Sequence, residues 1–148
     1  MQTSGARDDS LALDVRIPSD VQFIGEVVDQ VVRRCAALDF SRRHLSLNVP
    51  VALTEALSNA ILRGNADDAS RSVMLRVEID DVQLIAEVRD EGDGFDLADC
   101  TEDATLPENL QREDGRGLFL MQKLMDRVER FRDLNTSGNV VRLVLMRS

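Results

Sequence analysis

The sequence contains no tryptophan and no tyrosine, and among its 148 residues there are one histidine and two cysteines. Basic residues are outnumbered, since 18 Lys and Arg face 27 Asp and Glu and give a formal net charge of -9. A chain without a basic footprint cannot displace the counterions around nucleic-acid phosphates, which argues against nonspecific nucleic-acid binding. Cys35 and Cys100 lack metal-ligand spacing, so we interpret them as a packing residue and a loop thiol.

Long apolar stretches and targeting segments are absent as well. No apolar run approaches the ~20 residues that span a bilayer, and the polar residues Met1 to Ser10 contain no signal-peptide core. These absences predict a cytoplasmic protein that does not bind a membrane. The length suits a single core. We therefore expect a flexible N-terminus over residues 1–10 and one domain over residues 11–148.

In the first quarter of the chain, apolar residues recur with two regular spacings. Strict alternation from Leu11 to Ile17 predicts a half-buried strand, which Pro18 ends. Ser19 and Gln22 have the spacing of a capping box. Helical spacing then continues from Phe23 to about Leu38, which predicts the first helix.

A second long helix is predicted after a connection that contains Ser41, a possible cap for one helical turn. Asn48 is the expected cap of the long helix, because Pro50 would then fall in its first turn, where the missing N–H costs nothing. Gly64 and Asn65 form a natural stop at its other end.

The second half of the chain contains strand patterns and one short helix. These elements are expected at Ser72 to Ile79, Val82 to Asp90, Gly117 to Leu124, Val128 to Arg132 and Val140 to Met146. Asp80 and Asp81 suit a tight hairpin between the first two strands. The order of elements predicts the α/β class, an α+β two-layer sandwich whose mixed, mostly antiparallel sheet is covered on one face by helices.

Polar residues recur along the second helix at intervals of four. Glu55, Asn59 and Arg63 therefore share one stripe. A carboxylate can accept a proton from a hydroxyl or a water, and an amide oxygen is a hard ligand that suits Mg²⁺. Judged alone, however, the stripe is more typical of the solvated face of an amphipathic helix.

A glycine-rich segment, Asp90 to Gly94, follows the second strand of the hairpin. The Asp90 carboxylate can accept a hydrogen bond from the exocyclic amine of adenine and would reject guanine, which presents a carbonyl there. Gly92 and Gly94 allow the backbone to approach a ligand closely. An ordinary Asp/Gly turn is the alternative.

A second glycine motif consists of Gly115, Arg116, Gly117 and Leu118 and precedes a helix pattern. Free N–H groups at a helix start can bind phosphate oxygens. Arg112 and Arg116 are candidate phosphate clamps, because guanidinium groups pair well with phosphate. A glycine hinge with solvated arginines is the alternative.

In this order the motifs resemble those of the histidine-kinase-like (GHKL, Bergerat-fold) ATPase superfamily. Glu55 to Ala60 looks like its N-box, Asp90 to Phe95 like its first glycine box and Gly115 to Leu118 like its second. Within the superfamily, the short length and the run from Gly117 to Met121 are most similar to bacterial anti-sigma factors that are serine-protein kinases. The resemblance covers nearly the whole chain from Leu11.

The resemblance implies ATP and Mg²⁺ as cofactors. Asn59 would coordinate Mg²⁺, Glu55 would act as the general base and Asp90 would bind adenine. The other implied nucleotide-binding residues are Arg63, Gly92, Gly94, Arg112, Gly115, Arg116, Gly117, Leu118 and Asn139. The acidic, aperiodic segment from Phe95 to Gly117 would form the ATP lid, a role often found for such long segments.

The resemblance also implies an activity and partners. A family member phosphorylates a serine or threonine on a small antagonist protein, which frees the kinase to hold a sigma factor. Members are typically homodimers. A nucleotide-gated binding module with little or no kinase activity, in which ATP orders the lid, is an alternative from a different functional class.

The sequence departs from the family pattern at three places. Arg63 stands where relatives often have histidine, and Asn139 stands where a threonine is common. Glu113 and Asp114 occupy the place of an arginine before the second glycine box. These departures concern phosphate clamping more than nucleotide binding. Two further alternatives are a domain without nucleotide binding and a detached sensor-kinase ATP domain, which would need a dimerisation helix with a phospho-acceptor histidine.

Overall fold

The computed structural model describes residues 11–65, 68, 70–91, 113–132 and 138–147. At residues 11 and 113–117 the description is of the backbone alone. The predicted flexible N-terminus, nearly all of the predicted lid and most of the predicted turn before Gly138 lie outside the described residues.

Five strands form one antiparallel sheet in the order β1-β2-β3-β5-β4. They are β1 (Leu11–Pro18), β2 (Ser72–Ile79), β3 (Gln83–Arg89), β4 (Arg127–Arg132) and β5 (Asn139–Met146). Alternation along the strands turns Val77, Leu84 and Leu143 toward the core, where all three are fully buried. The predicted α/β sandwich is confirmed, and every described pairing is antiparallel.

The described helices pack together against this sheet. They are α1 (Ile24–Ala37), α2 (Val49–Asn59) and α3 (Glu113–Leu124). α2 contacts both of the others, and its Leu53 and Leu57 are fully buried in the same hydrophobic core as Val31 of α1 and Met121 of α3. Burial of each such leucine stabilises the fold by about 1.5–3 kcal/mol, so the apolar stripe of α2 anchors the core.

The second helix is longer than predicted. π-Helical turns at His44–Asn48 and Ala60–Gly64 extend α2 into one continuous helix of 21 residues, called the long helix below. Ser41 provides the cap, since its Oγ accepts the His44 N–H at 3.1 Å. By length and mean hydropathy of 1.3 this helix would also pass as a membrane span. Its buried face is instead part of the domain core.

Asn48 and Pro50 do not have the roles predicted from the sequence. Asn48 has helical backbone angles and makes no capping hydrogen bond. Its buried side chain donates from Nδ2 to the Leu124 carbonyl at 2.8 Å. Pro50 lies inside the long helix, just after a π-helical turn in which the Val49 N–H bonds back to the His44 carbonyl. The wider turn accommodates a residue that has no N–H of its own to donate.

The starts of two other helical segments also differ from the prediction. Asp20, not Ser19, caps the short 3₁₀ turn Val21–Phe23 before α1, because its Oδ1 accepts the Gln22 N–H at 3.0 Å. α3 begins at Glu113 and not at Gly117. In both cases the sequence has a suitable start pattern at the predicted residue. The structure nevertheless begins the helical segment at a different residue nearby.

The predicted hairpin between β2 and β3 is confirmed, with one more residue in its loop. Asp80 Oδ1 accepts the Val82 N–H at 2.8 Å and the Gln83 N–H at 2.9 Å. These bonds make an Asx-type turn. They place Val82 in the loop, so that β3 begins at Gln83.

Candidate functional site

One end of the sheet brings together segments that are distant in sequence. Arg89 at the end of β3 pairs with Val140 near the start of β5, which makes Asp90 and Asn139 neighbours. The long helix ends at the same place, because Gly64 lies against the Asp90 side chain. The predicted N-box helix and the start of the first glycine box therefore meet at this end of the sheet.

Asp90 provides a buried carboxylate that is 6% exposed. Its Oδ1 accepts two hydrogen bonds from Asn139, from the backbone N–H and from Nδ2, both at 3.2 Å. The Asp90 N–H in turn donates to the Asn139 carbonyl at 3.0 Å. Because a buried carboxylate without donors is costly, these bonds both stabilise the charge and fix its direction.

The Asp90 carboxylate has room because residue 64 has no side chain. A Cβ built on Gly64 would overlap the Asp90 carboxylate and would lie 2.9 Å from the Asp90 Cβ. From the sequence alone, Gly64 is predicted only as a helix stop. Its second role, as the wall against which the carboxylate rests, depends on a tertiary contact that local sequence does not show.

Glu55 and Asn59 lie on the long helix and are half-buried. Neither side chain hydrogen-bonds to the described part of the chain. A rise of about 1.5 Å per residue places Asn59 roughly 7–8 Å along the axis from Gly64. The Asn59 amide thus lies about one and a half turns, and the Glu55 carboxylate about two and a half turns, from the Asp90 pocket. Arg63, the third residue of the stripe, is exposed in the last turn.

Asn139 carries an unpaired acceptor beside Asp90. The residue is 3% exposed, and its Oδ1 has no hydrogen-bond partner in the part of the chain that the structure describes. A buried acceptor without a donor is unfavourable. Together with the acceptor capacity of the Asp90 carboxylate, it fits a ligand that brings donors, such as the exocyclic amine of adenine.

The second glycine motif lies within a helix and not before one. Since α3 begins at Glu113, Gly115 and Arg116 belong to its first turn and Gly117 starts the second. The first four N–H groups of a helix lack intrahelical partners, so the free donors come earlier than predicted. Leu118, predicted to contact the nucleotide, is 6% exposed and its side chain belongs to the hydrophobic core.

Three predicted site residues, Gly92, Gly94 and Arg112, lie outside the described residues, as do the side chains of residues 115–117. Their roles stay predictions. Within the described ranges, no group of three or more His, Cys, Asp or Glu side chains could hold a metal ion. A divalent cation here would need other oxygen ligands, such as the Asn59 amide and the phosphates of a bound nucleotide.

Glu91 ties the segment after β3 to the start of β2. Its Oε2 accepts the Ser72 N–H at 2.9 Å and also the Ser72 hydroxyl, and the Arg16 guanidinium lies 3.6 Å away. The Ser72 hydroxyl, and then the Ser72 N–H, lower the pKa of Glu91 below its ordinary value. The ionised carboxylate therefore holds the chain next to Asp90 at neutral pH.

Asn65 is a further residue of the site that local sequence patterns do not identify. It is fully buried, and its Oδ1 accepts the N–H of Glu91 at 2.7 Å. We predicted only a helix stop at this position. Its place five residues after the N-box segment is the one sequence signal that could have pointed to the site.

A separate surface cavity of about 440 Å³ lies at the other end of the sheet. Its walls include His44, Asn48, Lys123 and Arg147, and none of the predicted site residues lines it. The cavity is therefore not part of the predicted nucleotide site.

Comparison with known proteins agrees with the motifs. The family described as histidine kinase-like ATPase domain matches residues 17–145, which include the three predicted boxes. A serine-protein kinase RsbW from Bacillus subtilis is 26% identical over 134 residues, covering 87% of this chain and 81% of the relative. The protein of the same name from Staphylococcus epidermidis is 24% identical over 143 residues, covering 89% and 86%.

A solved structure shows the same fold. The RsbU and RsbW domains of a Mycobacterium tuberculosis protein superpose with a TM-score of 0.64 at 15% sequence identity. The alignment covers 91% of this chain but 32% of the solved chain, so the similarity concerns about a third of that protein. The resemblance seen in the three motifs is thus confirmed: the chain belongs to the histidine kinase-like ATPase domain family.

Proposed function

We propose that this protein is an ATP- and Mg²⁺-dependent serine/threonine protein kinase that phosphorylates an anti-sigma factor antagonist and sequesters a sigma factor. The observation that carries the proposal is the Asp90 carboxylate, which Asn139 orients and Gly64 accommodates at the end of the long helix. That helix presents two groups, on Glu55 and Asn59, that have no hydrogen-bond partner among the described residues. The names of the similar Bacillus and Staphylococcus proteins support the type of activity.

Asp90 is the proposed base-recognition residue. Its carboxylate would accept the exocyclic amine of adenine, while the carbonyl of guanine would face it as a second acceptor and be repelled. Asn139 would orient the carboxylate. Gly92 and Gly94 would let the backbone approach the base, and Arg63, Arg112 and the segment from Gly115 to Leu118 complete the proposed nucleotide contacts.

Glu55 and Asn59 are the proposed groups for phosphoryl transfer. Bound ATP supplies the transferable phosphoryl group. The Asn59 amide oxygen would hold Mg²⁺, and the Glu55 carboxylate would accept the proton of a serine hydroxyl. Such proton transfer contributes roughly 10²–10⁴-fold to a rate, and positioning with charge neutralisation supplies most of the rest.

The proposed partners are a sigma factor and its antagonist protein, in the cytoplasm, with no nucleic acid or membrane involved. We further propose a homodimer. In the described part of the chain, β1 pairs only with β2 and is an edge of the sheet, which leaves backbone groups available for another strand. Light scattering after size exclusion would measure the mass of the free protein, and a monomer at all concentrations would contradict the dimer.

The kinase proposal is tested with labelled ATP and a candidate antagonist protein. Glu55→Gln should lower phosphoryl transfer roughly 10²–10⁴-fold, since the amide cannot accept the proton, and should leave ATP affinity nearly unchanged. Asn59→Ala should abolish the effect of Mg²⁺ on ATP affinity as well as transfer. Glu26→Gln, which removes an exposed carboxylate from α1, is the matched control and should behave as the unsubstituted protein.

The outcomes separate the two classes of function. Full phosphorylation by the Glu55→Gln protein would refute the assigned base. No transfer by the unsubstituted protein, combined with ATP-dependent capture of a partner, would instead identify a nucleotide-gated binding module. No heat on titration with ATP would refute both.

A further inference from the structure

One buried amide connects four chain segments at the proposed site. Asn65, which ends the long helix, is 0% exposed. Its Oδ1 accepts the Glu91 N–H at 2.7 Å, and its Nδ2 donates to the Ser72 carbonyl at 2.9 Å. Nδ2 also lies 3.4 Å from the Ser19 Oγ. The side chain thus joins the helix end to the segments after β1 and β3 and to the start of β2.

The bond to Glu91 bears directly on Asp90. The Glu91 N–H belongs to the peptide unit that follows the Asp90 Cα, while the unit before it is held by the bond from the Asp90 N–H to the Asn139 carbonyl, at 3.0 Å. Both flanking peptide units are therefore anchored. Because each residue has only two soft backbone dihedrals, anchoring the two units sets the direction of the Asp90 side chain.

Loss of the Asn65 side chain would release one of these anchors. The part-buried Glu91 N–H would lose its acceptor, so the Glu91 peptide would be free to rotate toward another partner. The Ser72 bonds to the Glu91 carboxylate would still hold that side chain near β2. The expected change is thus a local redirection of Asp90, with the sheet in place.

We propose that Asn65 is a positioning residue that makes the site selective for the amino group of adenine. The inference rests on the proposed nucleotide site and assigns base selectivity to a residue behind the base-reading carboxylate. Selectivity requires the Asp90 carboxylate to meet one exocyclic N–H group, and Asn65 holds the backbone that presents it.

The probe pair is ATP and purine riboside triphosphate, which has the same phosphates and ring but lacks the exocyclic amine. A hydrogen bond to a charged group predicts that the unsubstituted protein binds ATP roughly 10- to 100-fold more tightly. In Asn65→Ala this ratio should fall below about threefold, mainly through weaker ATP binding. Titration calorimetry measures both Kd values.

Asn48→Ala is the matched control, because Asn48 is another buried asparagine of the long helix that donates to a main-chain carbonyl, at the opposite end. Both variants should lose stability, which thermal unfolding followed by circular dichroism would report. Only Asn65→Ala should lose the ATP preference. If Asn65 had only a structural role, both variants would unfold at a lower temperature and both would keep the original ratio of the two Kd values.

Asn65→Asp keeps the test decisive if the alanine variant does not fold. Its carboxylate can still accept the Glu91 N–H but cannot donate to the Ser72 carbonyl. It should therefore be less stable yet keep the ATP preference within about threefold of the original. The added charge affects both triphosphates equally and cancels in the ratio.

Two results would overturn the inference. One is an Asn65→Ala protein that keeps the full preference for ATP over purine riboside triphosphate, and the other is a folded Asn65→Asp protein that loses this preference. Either result would leave the nucleotide site itself intact. If the unsubstituted protein bound neither triphosphate, the proposed function would fail instead, and the two failures are distinguished by the first titration alone.

Discussion

Replacement of Gly64 by alanine should destabilise the protein, whereas the same change elsewhere in a helix usually stabilises it. In a helix, Gly→Ala usually stabilises a protein by about 0.4–1 kcal/mol, because alanine has fewer unfolded conformations to lose. At Gly64, however, the added Cβ would overlap the Asp90 carboxylate. The atom it meets is part of a buried, hydrogen-bonded charge, which cannot simply move into solvent.

The magnitude follows from the bonds that Asp90 would lose. Its Oδ1 accepts two bonds from Asn139 at 3.2 Å. A hydrogen bond to a charged group contributes about 1.5–3 kcal/mol, so the loss of one bond outweighs the entropic gain by about 1–2 kcal/mol. For a chain of this size, such a change lowers the Tm by roughly 2–8 °C.

Gly25→Ala in α1 provides the matched control, since nothing lies within 4 Å of a Cβ built there. That variant should be more stable than the unsubstituted protein by about 0.4–1 kcal/mol. Urea unfolding followed by circular dichroism compares the two variants directly. ATP titration should show weakened binding for Gly64→Ala and normal binding for Gly25→Ala.

The reasoning would be refuted by a Gly64→Ala protein that is as stable as Gly25→Ala. Such a result would mean that the Asp90 carboxylate can move aside without loss of stability. Gly64 would then not fix the position of that carboxylate. If Gly64→Ala had reduced stability but normal ATP affinity, the clash with Asp90 would be supported. A role of Asp90 in binding the base would be contradicted.

Three other predictions concern separate features. Burial raises the pKa of the Cys35 thiol to about 12, so in a Cys100→Ser variant a thiol reagent should label Cys35 only after unfolding, and rapid labelling of the native protein would contradict this. Glu91→Gln should lower stability at neutral pH, because the lowered pKa of Glu91 stabilises the fold above its unfolded pKa. The difference from the unsubstituted protein should disappear as the pH falls through that lowered pKa, and a difference that persists in strong acid would exclude the ionic contribution. Asp80→Ala should cost about 1–2 kcal/mol in urea unfolding by removing the acceptor of two turn N–H groups, whereas Asp80→Asn should be nearly neutral, and equal losses would be inconsistent with the Asx turn.

Local periodicity was sufficient for most of the fold. The strands and α1 were predicted within a few residues, since alternation and helical spacing depend on neighbouring side chains alone. Asn48 shows the limit of local sequence information. An asparagine two residues before a proline is a good local cap signal, but its actual partner is the Leu124 carbonyl, which sequence spacing cannot reveal.

The candidate site was predictable in its parts but not in its contacts. Spacing placed Glu55 and Asn59 on one helix face, and the glycine motif identified Asp90. The contact of Asp90 with Asn139 arises from the pairing of β3 with β5, and its contact with Gly64 arises from helix packing. Asn65 was missed for the same reason, because its bonds reach three other segments of the chain.

The position of β5 between β3 and β4 makes the site depend on the strand that is synthesised after the other four described strands. Until residues 139–146 leave the ribosome, β3 and β4 have no strand between them, and Asp90 has no Asn139 beside it. A nascent or prematurely terminated chain therefore exposes the apolar faces of an open sheet and lacks the oriented carboxylate. Such a fragment would be a substrate for chaperones and proteases before it could compete for nucleotide.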